Sequence, residues 1–180
     1  MKKLILIFLG GFMFASCNDA ATTTSETVSD SVSTKETVTQ KADYPYRIEH
    51  PDYWETGSTN NTMQVLTAIK AYENGNVEET VKYFGDSVRL QFHNMDETVS
   101  NDSLKAMFTR TRNSIKNMSL IMQDWVSVIS TDKKVEYVTL WYREHWEDMN
   151  GKKDSVDIVN DLKMKDGKCI ELTQYERKLH

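Results

Sequence analysis

The sequence predicts an α+β domain: a curved, mainly antiparallel sheet packed on three N-terminal helices. Apolar residues recur at helical spacing in the front of the folded part and alternate at strand spacing in the back. The later strand segments are separated by Asn150-Gly151 and Asp166-Gly167, dipeptides that favour hairpin turns. Helices followed by a meander give a layout in which helices gather on one face of a sheet.

The first helix is expected over residues 62–73, with Met63, Leu66, Ile69 and Tyr72 on one stripe and Asn74-Gly75 as its stop. Asn76 then caps a short second helix, with Glu79 three residues later in capping-box position. Val77, Val81 and Phe84 form its apolar face, and Gly85-Asp86 breaks the pattern. A strand over residues 87–93 places Val88, Leu90 and Phe92 on one side. The third helix starts at Asn101 or Asp102, and Leu104, Met107, Phe108, Ile115 and Met118 form its stripe. Strands are expected over residues 120–131, 135–146, 155–164 and 169–177, with Asp132-Lys133 turning the chain between the first two.

The register follows from the apolar pattern. With three-residue, Gly-bulged loops at both Gly turns, Val138, Leu140, Tyr142 and Trp146 share a face with Val156, Ile158, Leu162, Met164, Ile170 and Leu172. Glu144, Asn160 and Gln174 are the polar members of that face. The other face collects Thr139, Arg143, His145, Asp157, Asp161, Glu171 and Thr173, together with Tyr137, Trp141 and Tyr175. A slip of one residue would move every side chain across the sheet, so the coherent register is preferred. Arg143 and Asp157 become cross-strand neighbours in it.

Before the domain, residues 1–16 read as a signal peptide: Lys2-Lys3, an apolar run at residues 4–14, then Ala15 and Ser16. The run is too short to span a bilayer comfortably, which takes about 20 apolar residues. Residues 18–43 are rich in Thr, Ser, Asp and Glu without an apolar period, and read as a disordered tether. Residues 44–61 are expected to form an irregular aromatic arm. The domain proper is placed at residues 62–180.

The formal net charge of -5 argues against nucleic acid as a partner. The four histidines are dispersed, so no metal site is expected. Neither a phosphate-cradling Gly-rich loop nor a Gly-x-Ser-x-Gly elbow is present, and no cofactor is implied. Only Cys17 and Cys169 occur, and once Cys17 carries lipid a disulfide is excluded. Cys169 is then expected to act as a small apolar strand residue.

Two resemblances add to this. Phe14-Ala15-Ser16-Cys17 resembles the lipobox of bacterial lipoproteins, which implies cleavage before Cys17, its lipidation, and a membrane partner reached through the lipid. With the Thr/Ser tether it resembles envelope lipoproteins of the Bacteroidota, which favours the outer over the inner membrane. From about residue 60 to 178 the chain resembles the nuclear transport factor 2-like superfamily, especially its SnoaL-like branch. The resemblance rests on Ala71-Tyr72-Glu73-Asn74-Gly75-Asn76-Val77, Tyr83-Phe84-Gly85-Asp86-Ser87-Val88 and Lys165-Asp166-Gly167-Lys168-Cys169-Ile170 followed by Tyr175.

That resemblance implies a cone, with helices closing a sheet around a pocket. The residues that would face it are Tyr142, Glu144, Trp146, Asn160 and Gln174, with Phe84, Phe92 and Phe108 from the surrounding elements. No catalytic residue is assigned. The expected function is a lipid-anchored envelope module that binds or interacts, with a small apolar molecule as ligand. The alternative is a small-molecule enzyme, an isomerase, dehydratase or hydrolase using a pocket carboxylate. The aromatics of the outer face suggest a homodimer contact, as related folds often dimerise there.

Overall fold

Ser58 decides where the first helix begins. Its side chain accepts the Asn61 amide at 3.3 Å, so helix α1 spans Thr59–Glu73 and starts three residues earlier than the apolar period alone suggests. The structure is a computed structural model that describes residues 44–50 and 52–179. The signal peptide, Cys17 and the tether at residues 18–43 lie outside the described residues. The aromatic arm is corrected in part: Tyr44, Tyr46 and Ile48 are exposed, but Trp54–Thr56 form a short strand, β1, and α1 begins inside the stretch.

The buried stripe of α1 is Thr62, Val65, Ala68 and Ala71. Leu66, Ile69 and Tyr72 flank it, and Met63 is 56% exposed, which corrects its place on the expected stripe. Small residues win the buried positions because the helix lies close to the sheet. At the end of α1, Gly75 takes φ +80, Gly75 N–H donates to Tyr72 O at 2.9 Å, and Asn76 N–H donates to Ala71 O at 2.8 Å. This is a Schellman stop. Asn76 also caps α2 (Val77–Val81), its Oδ1 accepting the Glu79 amide at 3.1 Å. The reciprocal half of the capping box does not form, because the Asn76 N–H is already used. The Glu79 carboxylate accepts from Lys82 at 2.7 Å instead.

Strand β2 spans Phe84–Phe92, so Phe84 opens the strand and Gly85-Asp86 lie within it. Strand β3, Met95–Ser100, was not expected. It is a solvent-facing edge strand, held by Arg89 against Asp96 at 2.8 Å, and carries almost no apolar alternation. Helix α3, Asn101–Asn113, buries Leu104 completely. Ile115 and Met118 belong to strand β4, Ile115–Ser130, rather than to the α3 stripe. Their spacing from Met107 and Phe108 matches a helix by coincidence, and no Gly or Pro marks the junction.

Strands β5 (Glu136–Asp148), β6 (Lys153–Lys165) and β7 (Lys168–Lys178) complete a seven-stranded sheet in the order β1-β4-β5-β6-β7-β2-β3. All neighbours are antiparallel except β2 and β7, which run parallel. The sheet is therefore mixed. Register irregularities in β2, β4 and β7 bend it around the helices.

Asp148 N–H donates to Lys152 O at 2.9 Å, which leaves Met149, Asn150 and Gly151 as a three-residue loop with Gly151 at φ +84. The second turn differs from expectation. Lys165 pairs with Lys168 across Asp166 and Gly167, both at positive φ, a two-residue turn of type I′ character. The extra residue appears just afterwards: Met164 faces Cys169 while Lys163 faces Glu171, leaving Ile170 as the bulge. Cys169, 1% exposed, thus takes the core position expected of Ile170. Its thiol is pushed up to about 12 by burial. Beyond the bulge the faces fall as expected. Arg143 Nε meets Asp157 Oδ1 at 2.7 Å on the outer face, and Trp141, Val159 and Tyr175 form a row across it.

Candidate functional site

Leu140, Leu162, Val138, Leu90, Leu104 and Val65 form the centre of the packed core, each 1% exposed or less. Beside it, between the inner face of the sheet and the helices, lies a cavity of about 560 Å³. Tyr142, Glu144, Trp146, Asn160, Gln174, Phe84, Phe92 and Phe108 all line it. The structure therefore brings together every residue that the sequence placed in a pocket.

All but Phe108, which comes from α3, arrive on strands. Tyr142, Glu144 and Trp146 are successive inward positions of β5, facing Ile158, Val156 and Asp154 of β6. Asn160 lies between Leu140 and Gln174 in the centre of the sheet. The walls are mainly apolar and aromatic. Phe108 sits 5.3 Å from Tyr72 and 5.8 Å from Phe84, centroid to centroid, and Ile69, Met107 and Leu120 extend the surface.

Polar side chains interrupt these walls, among them Thr80, His93, Glu144, Asp154, Asn160, Gln174, Glu176 and Lys178. Asn160 is 2% exposed, and its Nδ2 donates to Tyr142 Oη at 3.0 Å. Its Oδ1 has no hydrogen-bond partner among the described residues. Burial is the main reason the Tyr142 hydroxyl is held well above its ordinary pKa, with the Glu144 charge adding to it and the Asn160 bond opposing. Across the cavity, burial and Glu144 push Tyr72 up to about 12. Glu144 itself is lifted from 4.5 to about 7, by burial first and by the Glu176 carboxylate second, while Arg112 partly offsets both. At the mouth, Gln174 Nε2 donates to Glu176 Oε1 at 2.7 Å, and His93 Nε2 lies 3.6 Å from the same oxygen.

Tyr72, His93 and Glu176 were missed as cavity residues. Glu176 was within reach, since it follows Gln174 by two along the same face. Tyr72 lies on the expected helix stripe, and a place on that stripe does not separate cavity wall from core. His93 sits at φ 53 in the β2–β3 turn, and without β3 nothing in the sequence directs it to the mouth. Among the described residues no group of three His, Cys, Asp or Glu is placed to hold a metal ion.

The fold as a whole is similar to that of several solved structures. The structure of AusH from Aspergillus nidulans aligns with a TM-score of 0.56 at 16% identity, covering 70% of this chain and 89% of that one. A nuclear transport factor 2-like protein from Burkholderia pseudomallei aligns at 0.55 and 12% identity, covering 67% and 92%. The chain has the nuclear transport factor 2-like fold. An epoxide hydrolase from Mycobacterium tuberculosis shares it at a TM-score of 0.53 and 11% identity, over 67% of this chain and 84% of that one. No protein-family profile and no functionally characterised protein matches the sequence significantly. At these identities the likeness fixes the fold, and the chemistry rests on the cavity's own residues.

Proposed function

We propose that the cone binds a small, largely apolar molecule, oriented by the polar groups of β5 and β6. The observation that carries this is the cavity of about 560 Å³, apolar-walled and converging on Tyr142, Glu144 and Asn160. Small-molecule sites have this composition and volume range. The neutral probe N-phenyl-1-naphthylamine should bind the full chain at one site. Met107→Trp, which fills the cavity from α3, should weaken that binding by roughly tenfold or more, because added side-chain volume excludes the ligand. The circular-dichroism melt should be little changed. Equal binding by both forms would place the probe elsewhere and remove the proposal.

A second reading is supported by Glu144. A carboxyl with a pKa of about 7 is divided between acid and base at neutral pH, the condition for general acid–base catalysis. In that case the bound molecule is a substrate of an isomerase, dehydratase or hydrolase, and Glu144 moves the proton.

We also propose that the chain is held at a bacterial envelope through lipid on Cys17. The support is the lipobox-like Phe14-Ala15-Ser16-Cys17 after an apolar run. No described helix is long and apolar enough to cross a membrane. Two or more acyl chains hold stably where one does not. Cys17→Ser should move the protein from the membrane to the soluble fraction or leave it uncleaved. Wild-type protein at the membrane with an unmodified Cys17 thiol, read by intact mass, would end the claim.

A further inference from the structure

One buried oxygen on a residue that lines the cavity has no hydrogen-bond donor among the described residues. Asn160 Oδ1 is buried and unpaired among the described residues. None of its neighbours donates to it. The Asn160 amide nitrogen is turned to Tyr142 Oη, Gln174 Nε2 is engaged by Glu176, and Thr80 Oγ1 donates to Asn76 O at 3.0 Å. The Tyr142 hydroxyl has the complementary state. It accepts from Asn160, and its own hydrogen has no protein acceptor among the described residues. One acceptor and one donor therefore stand side by side, on residues 2% and 4% exposed that both line the cavity.

Resting on the small-molecule reading above, we propose that this pair selects a ligand carrying a neutral hydroxyl, an aromatic or aliphatic alcohol with an apolar body. The hydroxyl donates to Asn160 Oδ1 and accepts from Tyr142 Oη–H, which completes both groups at once. A ketone or an ether supplies no hydrogen and leaves Asn160 Oδ1 unpaired. A carboxylate sets its charge against that carbonyl and beside Glu144 and Glu176. The ring or chain of the ligand lies against Phe84, Phe108 and Met107. A site built around a ligand hydroxyl discriminates against analogues lacking it far more strongly than an apolar wall discriminates by size.

The test titrates 2-naphthol, 2-methoxynaphthalene and 2-methylnaphthalene into the full chain, following tryptophan fluorescence. The ether keeps the acceptor and loses the hydrogen, and the methyl compound keeps the size and loses both. Wild type should bind 2-naphthol on the order of ten- to a hundredfold more tightly than either analogue, the range set by leaving a buried acceptor unmet. Asn160→Leu should bring the naphthol within about threefold of the ether by weakening the naphthol alone, with both still ahead of the methyl compound through Tyr142. Tyr142→Phe, which leaves Asn160 Oδ1 in place, should weaken the naphthol and the ether together and keep the naphthol ahead. Equal binding of all three by wild type overturns the proposal and leaves the small-molecule reading standing. A preference for the naphthol over the ether that survives Asn160→Leu also overturns it, since another group would then be the acceptor. Binding of none of the three removes the cavity reading itself and this inference with it. The wild-type comparison and Tyr142→Phe decide the matter even if Asn160→Leu does not fold.

Discussion

Replacing Glu144 by glutamine is expected to stabilise the domain at pH 8 and to change little near pH 4.5. The carboxyl has a folded pKa of about 7 against an ordinary 4.5. Between those values the folded chain holds a proton that the unfolded chain has released. Its favourable contribution to folding is therefore complete below about pH 4.5 and is lost as pH rises through about 7. Above pH 7 the ionised carboxylate sits beside Glu176 at the edge of an apolar wall and penalises the fold. A tenfold change in an ionisation constant corresponds to about 1.36 kcal/mol, so the penalty is on the order of 3 kcal/mol. Glutamine keeps the shape and removes the charge. The melting temperature of Glu144→Gln should exceed that of wild type by roughly 5–15 °C at pH 8, and the gap should close as pH falls. The acidic groups of the outer face act in the opposite sense and at lower pH. Asp157 is held down at about 2, with its bonds from Arg143 and Arg177 the leading causes, so its contribution disappears only on acidification through that value. Subtracting the two melting curves isolates Glu144. A constant difference across pH 4.5–8 would mean that the carboxyl titrates normally, and the acid–base reading of the site would lose its support.

The same residue shows why much of the site was legible. Glu144 faces inward because the Asn150-Gly151 loop has three residues, and that loop length follows from matching the apolar faces of β5 and β6. Gln174 was placed correctly on a partly mistaken premise. The Asp166-Gly167 turn has two residues instead of three, but the bulge at Ile170 restores the missing residue, so the two differences cancel beyond it. Only Ile170 and Cys169, between turn and bulge, exchange places. Alternation reports parity, and a bulge changes parity without leaving a residue type that marks it. The edges were less readable for a different reason. β1 and β3 are short and exposed, so burial imposes no apolar pattern on them. The passage from α3 into β4 was hidden because Ser114 and Ile115 continue a helical period as readily as they begin a strand. Where burial on one face is strong the sequence carries the fold. Where long side chains tie elements end to end, as with Arg112, spacing says nothing.

Arg112 is expected to be the most costly polar side chain to remove. It projects from the last turn of α3, and its guanidinium gathers three carbonyls from two other elements. Nη1 donates to Ile115 O at 2.8 Å, Nη2 to Glu73 O at 3.2 Å, and Nε to Tyr72 O at 3.3 Å. Two of those carbonyls lie in the last turn of α1, where helical partners run out and a cation is favoured. The clasp fixes the end of α1 against the start of β4, and so sets where Tyr72 stands on the cavity wall. Hydrogen bonds from a charged donor are each worth more than neutral ones, and these bonds are partly buried, although Tyr72 O keeps its bond from Gly75 N–H. Arg112→Met should therefore cost about 2–4 kcal/mol. Lysine keeps the charge but lacks the planar fork that reaches three acceptors, so Arg112→Lys should lose most of that stability as well. The two variants separate in their effect on Glu144. Arg112 holds the Glu144 pKa down, against burial and Glu176. Methionine should let that carboxyl titrate higher than in wild type, whereas lysine should largely keep it in place. Denaturant melts of both variants, with the Glu144 carboxyl carbon followed by NMR against pH, read the two effects independently. A melt of Arg112→Met that matches wild type would show that the clasp contributes nothing, and an unmoved Glu144 titration would show that the guanidinium charge does not reach the cavity.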